Sequence, residues 1–400
     1  MVFQGQIWNH VTFKVVSGLW RNKQDVDLVV KVAEQRRVPE INCSAIFAGD
    51  IKTTLAAREI TKTIKGGITN EYYISATKNC PRFIQTRGYI NSTLTKDEED
   101  FPIAFSVLVF KDAEMVERLL RAIYRPQNVY CIHVDKKSGT EFYKAISSIA
   151  GCFSNVFLTA RRVDVRWGTY SVLEPELLCM QELWRFRSWR YFINLTGQEF
   201  PLRTNYELVK ILRAFKGANS IHGTIKRANV ERWGNLAPPL GIRAVKGSVH
   251  IAANRHFVDY ILHNSTAEAF LNWTKRTRVP DETFFASLNY NPQLGIKGSF
   301  TGEPDDLQVF LTRYKIWADP SRCAGKRFQR SICILSTGDL PHLGETKKLF
   351  ANKFYLEADR LVIGCLEERL SNRTRDQYMG REQFDVTFYS NQTFVTEQVT

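Results

Sequence analysis

Apolar residues run almost without interruption over residues 103–110, fall into a 3.6-residue rhythm at Met115, Leu119, Leu120 and Tyr124, and return as a continuous run over 129–134. A continuous apolar run suits a strand covered on both faces, and helical spacing between two such runs predicts a β-α-β unit. Helical segments near 139–150, 171–185 and 205–215 alternate with short strands near 155–159 and 190–195, which predicts an α/β fold with a largely parallel central sheet. Asp135 then stands at the carboxyl end of a strand, where such sheets bind nucleotides. Beyond Gly217 the pattern loosens into loops, with a turn at Pro238 and Pro239. Apolar segments resume at 249–251 and 257–262, and helices are expected over 267–275 and 281–288.

Residues 1–40 are polar and weakly patterned and read as a stem or unstructured leader. Residues 41–100 form a separate N-terminal region that closes on the acidic run 97–100, a solvated linker rather than a metal site. The catalytic region then spans 101–365, and 366–400 reads as a C-terminal tail. No run of ~18 apolar residues occurs and no signal peptide opens the chain, so a membrane anchor would lie outside this sequence.

Composition narrows the class. The chain is 44% hydrophobic with 26 Phe, 15 Tyr and 8 Trp, too aromatic for a disordered polypeptide and well suited to sugar binding. A formal charge of +14 points to an anionic partner. The basic residues are scattered rather than gathered in a run, and no nucleic-acid signature is present, so nucleic acid is not the expected anion. Eight cysteines without a C-x-x-C pair exclude zinc ribbons and favour disulfides. Seven N-x-[ST] triplets, at Asn42, Asn91, Asn194, Asn264, Asn272, Asn372 and Asn391, exceed the about two expected by chance and favour the secretory pathway. Asn194 ends an apolar run and is expected to be buried.

The chain has no G-x-G-x-x-G, P-loop, H-E-x-x-H or G-x-S-x-G, which removes the starting motifs of dehydrogenases, kinase-like enzymes, zinc proteases and serine hydrolases. His133, inside an apolar strand, reads as a satisfied core residue. Many nucleotide-sugar enzymes hold Mn²⁺ or Mg²⁺ on an Asp-x-Asp pair after a strand. Here the sole match is Asp25-Val26-Asp27, near the N-terminus, whereas the strand end reads Asp135-Lys136-Lys137. A diphosphate bound there would need positive side chains in place of a metal.

Several segments together resemble the core 2 and I-branching β-1,6-N-acetylglucosaminyltransferases, distant kin of the peptide O-xylosyltransferases. They are 119–124 (LLRAIY) with 126–128 (PQN), 130–135 (YCIHVD), 194–201 (NLTGQEFP) with Thr204-Asn205, 280–282 (PDE), 338–340 (GDL) and 349–354 (LFANKF). The resemblance runs from about Cys43 to Cys365. It implies a GT-A-like glycosyltransferase fold, inversion at the anomeric carbon and no metal requirement. The family's base falls on Glu282, which by itself reads equally as a first-turn helix acid after Pro280. The family's diphosphate-binding Arg and Lys fall on Arg330 and Lys353. Asp135 matches the uridine contact, Trp167 the aromatic lining that pocket, and Arg232 and Trp317 positions beside the acceptor sugar. The family's disulfides map onto Cys43–Cys365, Cys80–Cys152, Cys131–Cys179 and Cys323–Cys333, tying the N-terminal region to the catalytic one.

Departures gather on the acceptor side. Asn229 replaces a family lysine, Asp319 a tyrosine, and Phe110-Lys111 a histidine-bearing pair. The resemblance implies UDP-GlcNAc as donor, an O-glycan or glycoprotein acceptor carrying galactose and N-acetylgalactosamine, no cofactor, and a Golgi-lumenal type II membrane protein. A UDP-xylose-dependent protein xylosyltransferase and a glycan-binding protein without turnover are the alternatives.

Overall fold

The computed structural model describes residues 23–34, 37–64, 66–304 and 309–400. Its strands are β1 (Ile103–Val109), β2 (Val129–Val134), β3 (Val156–Leu158), β4 (Tyr191–Thr196), β5 (Glu199–Pro201), β6 (Ser220–Thr224), β7 (Lys246–Asn254), β8 (Arg313–Tyr314), β9 (Phe328–Gln329), β10 (Ile332–Cys333) and β11 (Phe350–Asn352). Six of them form one sheet in the order β3-β2-β1-β4-β7-β6. The pairs β3/β2, β2/β1 and β1/β4 are parallel, and β4/β7 and β7/β6 are antiparallel.

The apolar runs read from the sequence are the buried centre of this sheet. Every residue of β2 is buried, and Phe105 stacks on Tyr130 at 5.3 Å across the β1/β2 seam. Helices Ala113–Ile123, Thr140–Ala150 and Glu174–Trp184 connect the parallel strands, as parallel pairing requires. Asp112 starts the first of these by accepting a hydrogen bond from Met115 N at 3.0 Å. The loosened segment after Gly217 holds more order than its pattern suggests: β6 and the nine-residue β7 form an antiparallel arm there.

A second, three-stranded sheet in the order β5-β11-β8 lies beside the first, and the β9/β10 hairpin continues it through an antiparallel bridge between Trp317 and Ile332. Glu199, fully buried, joins the two sheets. It accepts from Arg313 Nε at 2.8 Å, Asn352 Nδ2 at 3.0 Å and Thr196 N at 3.2 Å, while Arg313 Nη2 donates to the carbonyl of Asn194. Asn194 itself is buried and donates to Glu176 and to Val249 O.

All eight cysteines are paired, as Cys43–Cys365, Cys80–Cys152, Cys131–Cys179 and Cys323–Cys333. Beside Cys365, buried Glu367 pairs with Arg118 at 2.7 Å and Arg121 at 2.8 Å, so the long C-terminal helix is bolted to helix Ala113–Ile123 by charge as well as by packing. These two guanidiniums hold the Glu367 carboxyl down to about 2 against the opposing effect of burial. The boundary drawn at Cys365 therefore cuts helix Leu361–Tyr378, and residues 366–400 are not a loose tail: Leu366, Tyr378, Tyr389, Phe394 and Val395 are buried. Most of the leader drawn over 1–40 lies outside the described residues. Its described part includes a helix, Lys23–Glu34, on which Asp25 and Asp27 sit.

Candidate active site

Glu282 ends a short 3-10 turn, Pro280–Glu282, entered through Val279 at φ 54°, a left-handed backbone that a β-branched residue adopts only when its surroundings enforce it. The enforcement is visible. Val279 N donates to Gly168 O at 2.9 Å, Arg278 N to Arg232 O at 2.8 Å, and Trp233 Nε1 to Thr283 Oγ1 at 3.0 Å, so two other parts of the chain clamp the turn. Gly247 lets β7 pass beneath: a Cβ there would stand 2.5 Å from Ala286 Cβ and 2.3 Å from His222 O.

This arrangement sets the Glu282 carboxylate against cations. Oε2 lies 3.0 Å from Arg232 Nη1 and 4.0 Å from Lys246 Nζ, while the side chain stays 31% exposed and its Oε1 accepts no hydrogen bond among the described residues. Neighbouring Asp281 is buried with Oδ1 unpaired. Burial first, and the charge of Glu282 second, push its carboxyl up to about 7. Sequence reading left Asp281 and Lys246 without a role.

At the carboxyl end of β2, Asp135 is buried and accepts from the backbone N of Lys137 at 2.8 Å and from its Nζ at 3.0 Å. Lys137 Nζ also reaches Asp164 at 3.0 Å and the carbonyl of Val165. Arg162 Nη2 braces the same turn by donating to the carbonyls of Asp135, Lys136 and Ser138. The irregular segment 164–168 thus runs from Asp135 to the Glu282 turn, through Lys137 to Asp164 and Val165 at one end and Val279 N to Gly168 O at the other. Trp167, on that stretch, is 67% exposed. His133 is buried, accepts from Val163 N at 2.9 Å, and is pushed down to about 4 by burial, which keeps it neutral.

Lys353 follows β11 directly, and its ammonium is made less favourable by burial and then by the nearby Arg330 charge. Arg330 occupies the two-residue turn of the β9/β10 hairpin with Ser331, at φ 51° and 61°. Primed hairpin turns of this kind favour Asn and Gly, so a guanidinium here is held at a cost in backbone strain. Trp317 is 56% exposed on the strand extending β8, and Lys315 Nζ sits 5.5 Å over its ring. The two acceptor-side departures have local jobs: Asn229 caps a 3-10 turn through Glu231 N, and Asp319 accepts from Ser321 N and Oγ.

The structure therefore gathers Glu282 with Arg232, and Lys353 with Arg330, and it links the first group to Asp135 through the Trp167 loop. Among the described residues no cluster of three or more His, Cys, Asp or Glu is placed to hold a metal ion, and no helix is long and apolar enough to cross a membrane. A six-stranded, mostly parallel sheet with helices connecting its parallel strands is the architecture of a GT-A-like glycosyltransferase. Residues 103–343 match the family model of the Core-2/I-Branching enzyme, and the chain belongs to that family. It is 35% identical over 376 residues to a Bos taurus β-1,3-galactosyl-O-glycosyl-glycoprotein β-1,6-N-acetylglucosaminyltransferase, covering 86% of this chain and 88% of the relative. The Homo sapiens enzyme of the same name is 34% identical over 378 residues, with the same two shares. A Rattus norvegicus relative, numbered 3 under that name, is 33% identical over 383 residues, covering 87% of this chain and 86% of the relative. A sugar donor and a glycan acceptor are accordingly its substrates.

Proposed function

We propose that this glycosyltransferase moves N-acetylglucosamine from UDP-GlcNAc, in β-1,6 linkage and with inversion, onto an O-glycan bearing galactose and N-acetylgalactosamine, the reaction that starts a core 2 branch. The names carried by the relatives support the transferred sugar, the linkage and the acceptor class. The observation that bears the mechanism is the partly exposed Glu282 carboxylate, held through Oε2 at 3.0 Å by Arg232. Glu282 accepts the proton of the acceptor hydroxyl as that oxygen attacks C1 of the donor sugar, and UDP departs from the opposite face. Arg330 and Lys353 receive the charge developing on the leaving diphosphate, so no divalent cation is required. Asp135 contacts the uridine with Trp167 beside it, and Trp317 offers its indole face to the acceptor sugar. The protein works in the Golgi lumen, anchored as a type II membrane protein.

The test is product analysis with UDP-GlcNAc and core 1 disaccharide in the presence of EDTA, for the parent and Glu282→Gln. The expected result is a β-1,6-linked trisaccharide from the parent and a kcat lowered about 10²–10⁴-fold in the variant, with UDP binding retained. Loss of activity in EDTA overturns the metal-independent reading. Transfer from UDP-xylose to a serine hydroxyl replaces the assignment with the xylosyltransferase alternative, and donor and glycan binding without any product replaces it with a binding protein.

A further inference from the structure

Lys315 was one unremarked cation among 55 Lys and Arg in the sequence, and the second sheet gives it a place. β11 runs parallel to β8 with Phe350 opposite Arg313 and Ala351 opposite Tyr314, so the next residues on each strand carry Lys315 alongside the approach to Lys353. On the other side, the β9/β10 hairpin docks through Cys333 N to Ile316 O at 2.9 Å and Ala318 N to Ser331 O at 2.8 Å. Lys315 therefore lies on the strand between the element that ends in Lys353 and the hairpin that presents Arg330. Alternation along a strand puts Arg313, Lys315 and Trp317 on one face. Arg313 is anchored inward by Glu199, Trp317 is at the rim, and Lys315 is half-buried between them.

The groups facing Lys315 are Glu199 and Arg313 from the sheet junction, His250 from β7, Asp281 and Glu282 from the clamped turn, and Lys353. Despite three carboxyl groups nearby, its ammonium makes no hydrogen bond or ion pair among the described residues and rests only over the Trp317 ring. Burial, followed by the repulsion of Arg313 and Lys353 outweighing what Glu199 and Glu282 return, pushes it down to about 8. Two ammoniums that repel each other from neighbouring strands, Lys315 also repelled by Arg313 and Lys353 also by Arg330, are an arrangement that a ligand with several negative charges relieves.

We infer that Lys315 is a third cation of the donor site, donating a hydrogen bond to the diphosphate of the nucleotide alongside Lys353 and Arg330. This rests on the proposed use of a UDP-sugar. The ammonium reaches the diphosphate from the side nearer Glu282, where charge grows as the bond to the sugar breaks.

The test titrates UDP into the parent, Lys315→Met and Lys315→Arg by calorimetry from pH 6.5 to 9.5, and measures UDP product inhibition and acceptor KM at pH 7. Lys315→Met is expected to bind UDP about tenfold more weakly, as loss of one hydrogen bond to a charged group implies, with acceptor KM within about twofold. Affinity of the parent falls as pH rises through about 8, and this step disappears in Lys315→Arg, whose guanidinium does not titrate. Circular dichroism confirms that the variants are folded. If Lys315→Met does not fold, the pH profile of Lys315→Arg still decides. Unchanged UDP affinity in a folded Lys315→Met, a rise in acceptor KM alone, or a pH step that persists in Lys315→Arg overturns the inference. A parent that binds no UDP overturns the donor reading itself, whatever the variants do.

Discussion

Replacing Glu199 with Gln probes the junction of the two sheets on which the proposed donor site is built. The side chain has no exposed surface and neutralises Arg313, whose side chain has none either. Gln keeps the shape and one carbonyl acceptor but leaves the guanidinium as a buried cation without its counter-ion, a change that costs roughly 3–5 kcal/mol. Arg313 keeps its bonds to the carbonyls of Thr312 and Asn194, which places the loss at the low end, about 3 kcal/mol. Spread over an unfolding entropy of about 2.1 cal/mol/K per residue, that is a fall in Tm of about 4 °C for a chain of this length. The effect extends to binding, because Lys315 and Lys353 both face Glu199 and both lose part of their favourable field. UDP affinity should therefore decline at a lower pH in the variant than in the parent. Guanidinium unfolding at pH 7 with the disulfides intact measures the first effect, and UDP calorimetry across pH measures the second. Stability equal to the parent would refute the buried-pair reasoning, and a destabilised variant with the parent's pH profile would refute the electrostatic link. A Glu199→Gln/Arg313→Met double variant should regain most of the stability, since an apolar pair of similar volume is often as good as a buried ion pair.

Burial pushes Glu176 up to about 7 from an ordinary 4.5, against its bonds from Ser106 and Asn194, so its contribution to stability is fully present below about 4.5 and is lost as pH rises to 7. Two and a half units amount to about 3 kcal/mol, and Glu176→Gln should flatten the stability profile over that range, as read by denaturant unfolding at pH 5 and 7.5. Ser331→Gly, at φ 61°, removes backbone strain without touching a charge and should raise stability by about 1 kcal/mol with turnover kept, measured by unfolding and by the transferase assay. Glycopeptide mass spectrometry of the secreted chain should find Asn194 unmodified, because its side chain is enclosed between Glu176 and Val249, while exposed Asn42, Asn91, Asn272 and Asn391 are open to a glycan.

The parts of this fold legible in the sequence are those whose side chains repeat with one period over enough residues. Strand β1, helix Ala113–Ile123 and strand β2 stand within a residue or two of the expected segments, because a strand buried on both faces has no polar position to blur it. The second sheet was not legible: β5 and β11 have three residues and β8, β9 and β10 have two, too few for any alternation to emerge. Strands β6 and β7 were read as mostly loop because Gly223 and Gly247, required where Tyr290 and Ala286 crowd the backbone, interrupt the apolar run. The 366–400 segment failed for a different reason. Helix Leu361–Tyr378 buries charged residues such as Glu367 against arginines from helix Ala113–Ile123, so its polar letters resemble a solvated tail until the partner is known.

The candidate site divides along the same line. Glu282, Arg330 and Lys353 were found through resemblance, since a single acid or base carries no periodicity. Their grouping follows from features that only three dimensions reveal: a left-handed Val279, a two-residue hairpin turn bearing Arg330, and a short parallel pairing that carries the chain to Lys353. The same pairing places Lys315, which no motif marks. Short irregular elements are thus where both the unread structure and the unread chemistry lie. A long strand must satisfy its neighbours at every residue, whereas a two-residue strand or a strained turn can aim one side chain at a ligand and be held by bonds from elsewhere. That is why the cations assigned to the proposed donor site stand on the second sheet and its hairpin, braced through Glu199, rather than on the parallel sheet that supplies most of the buried core.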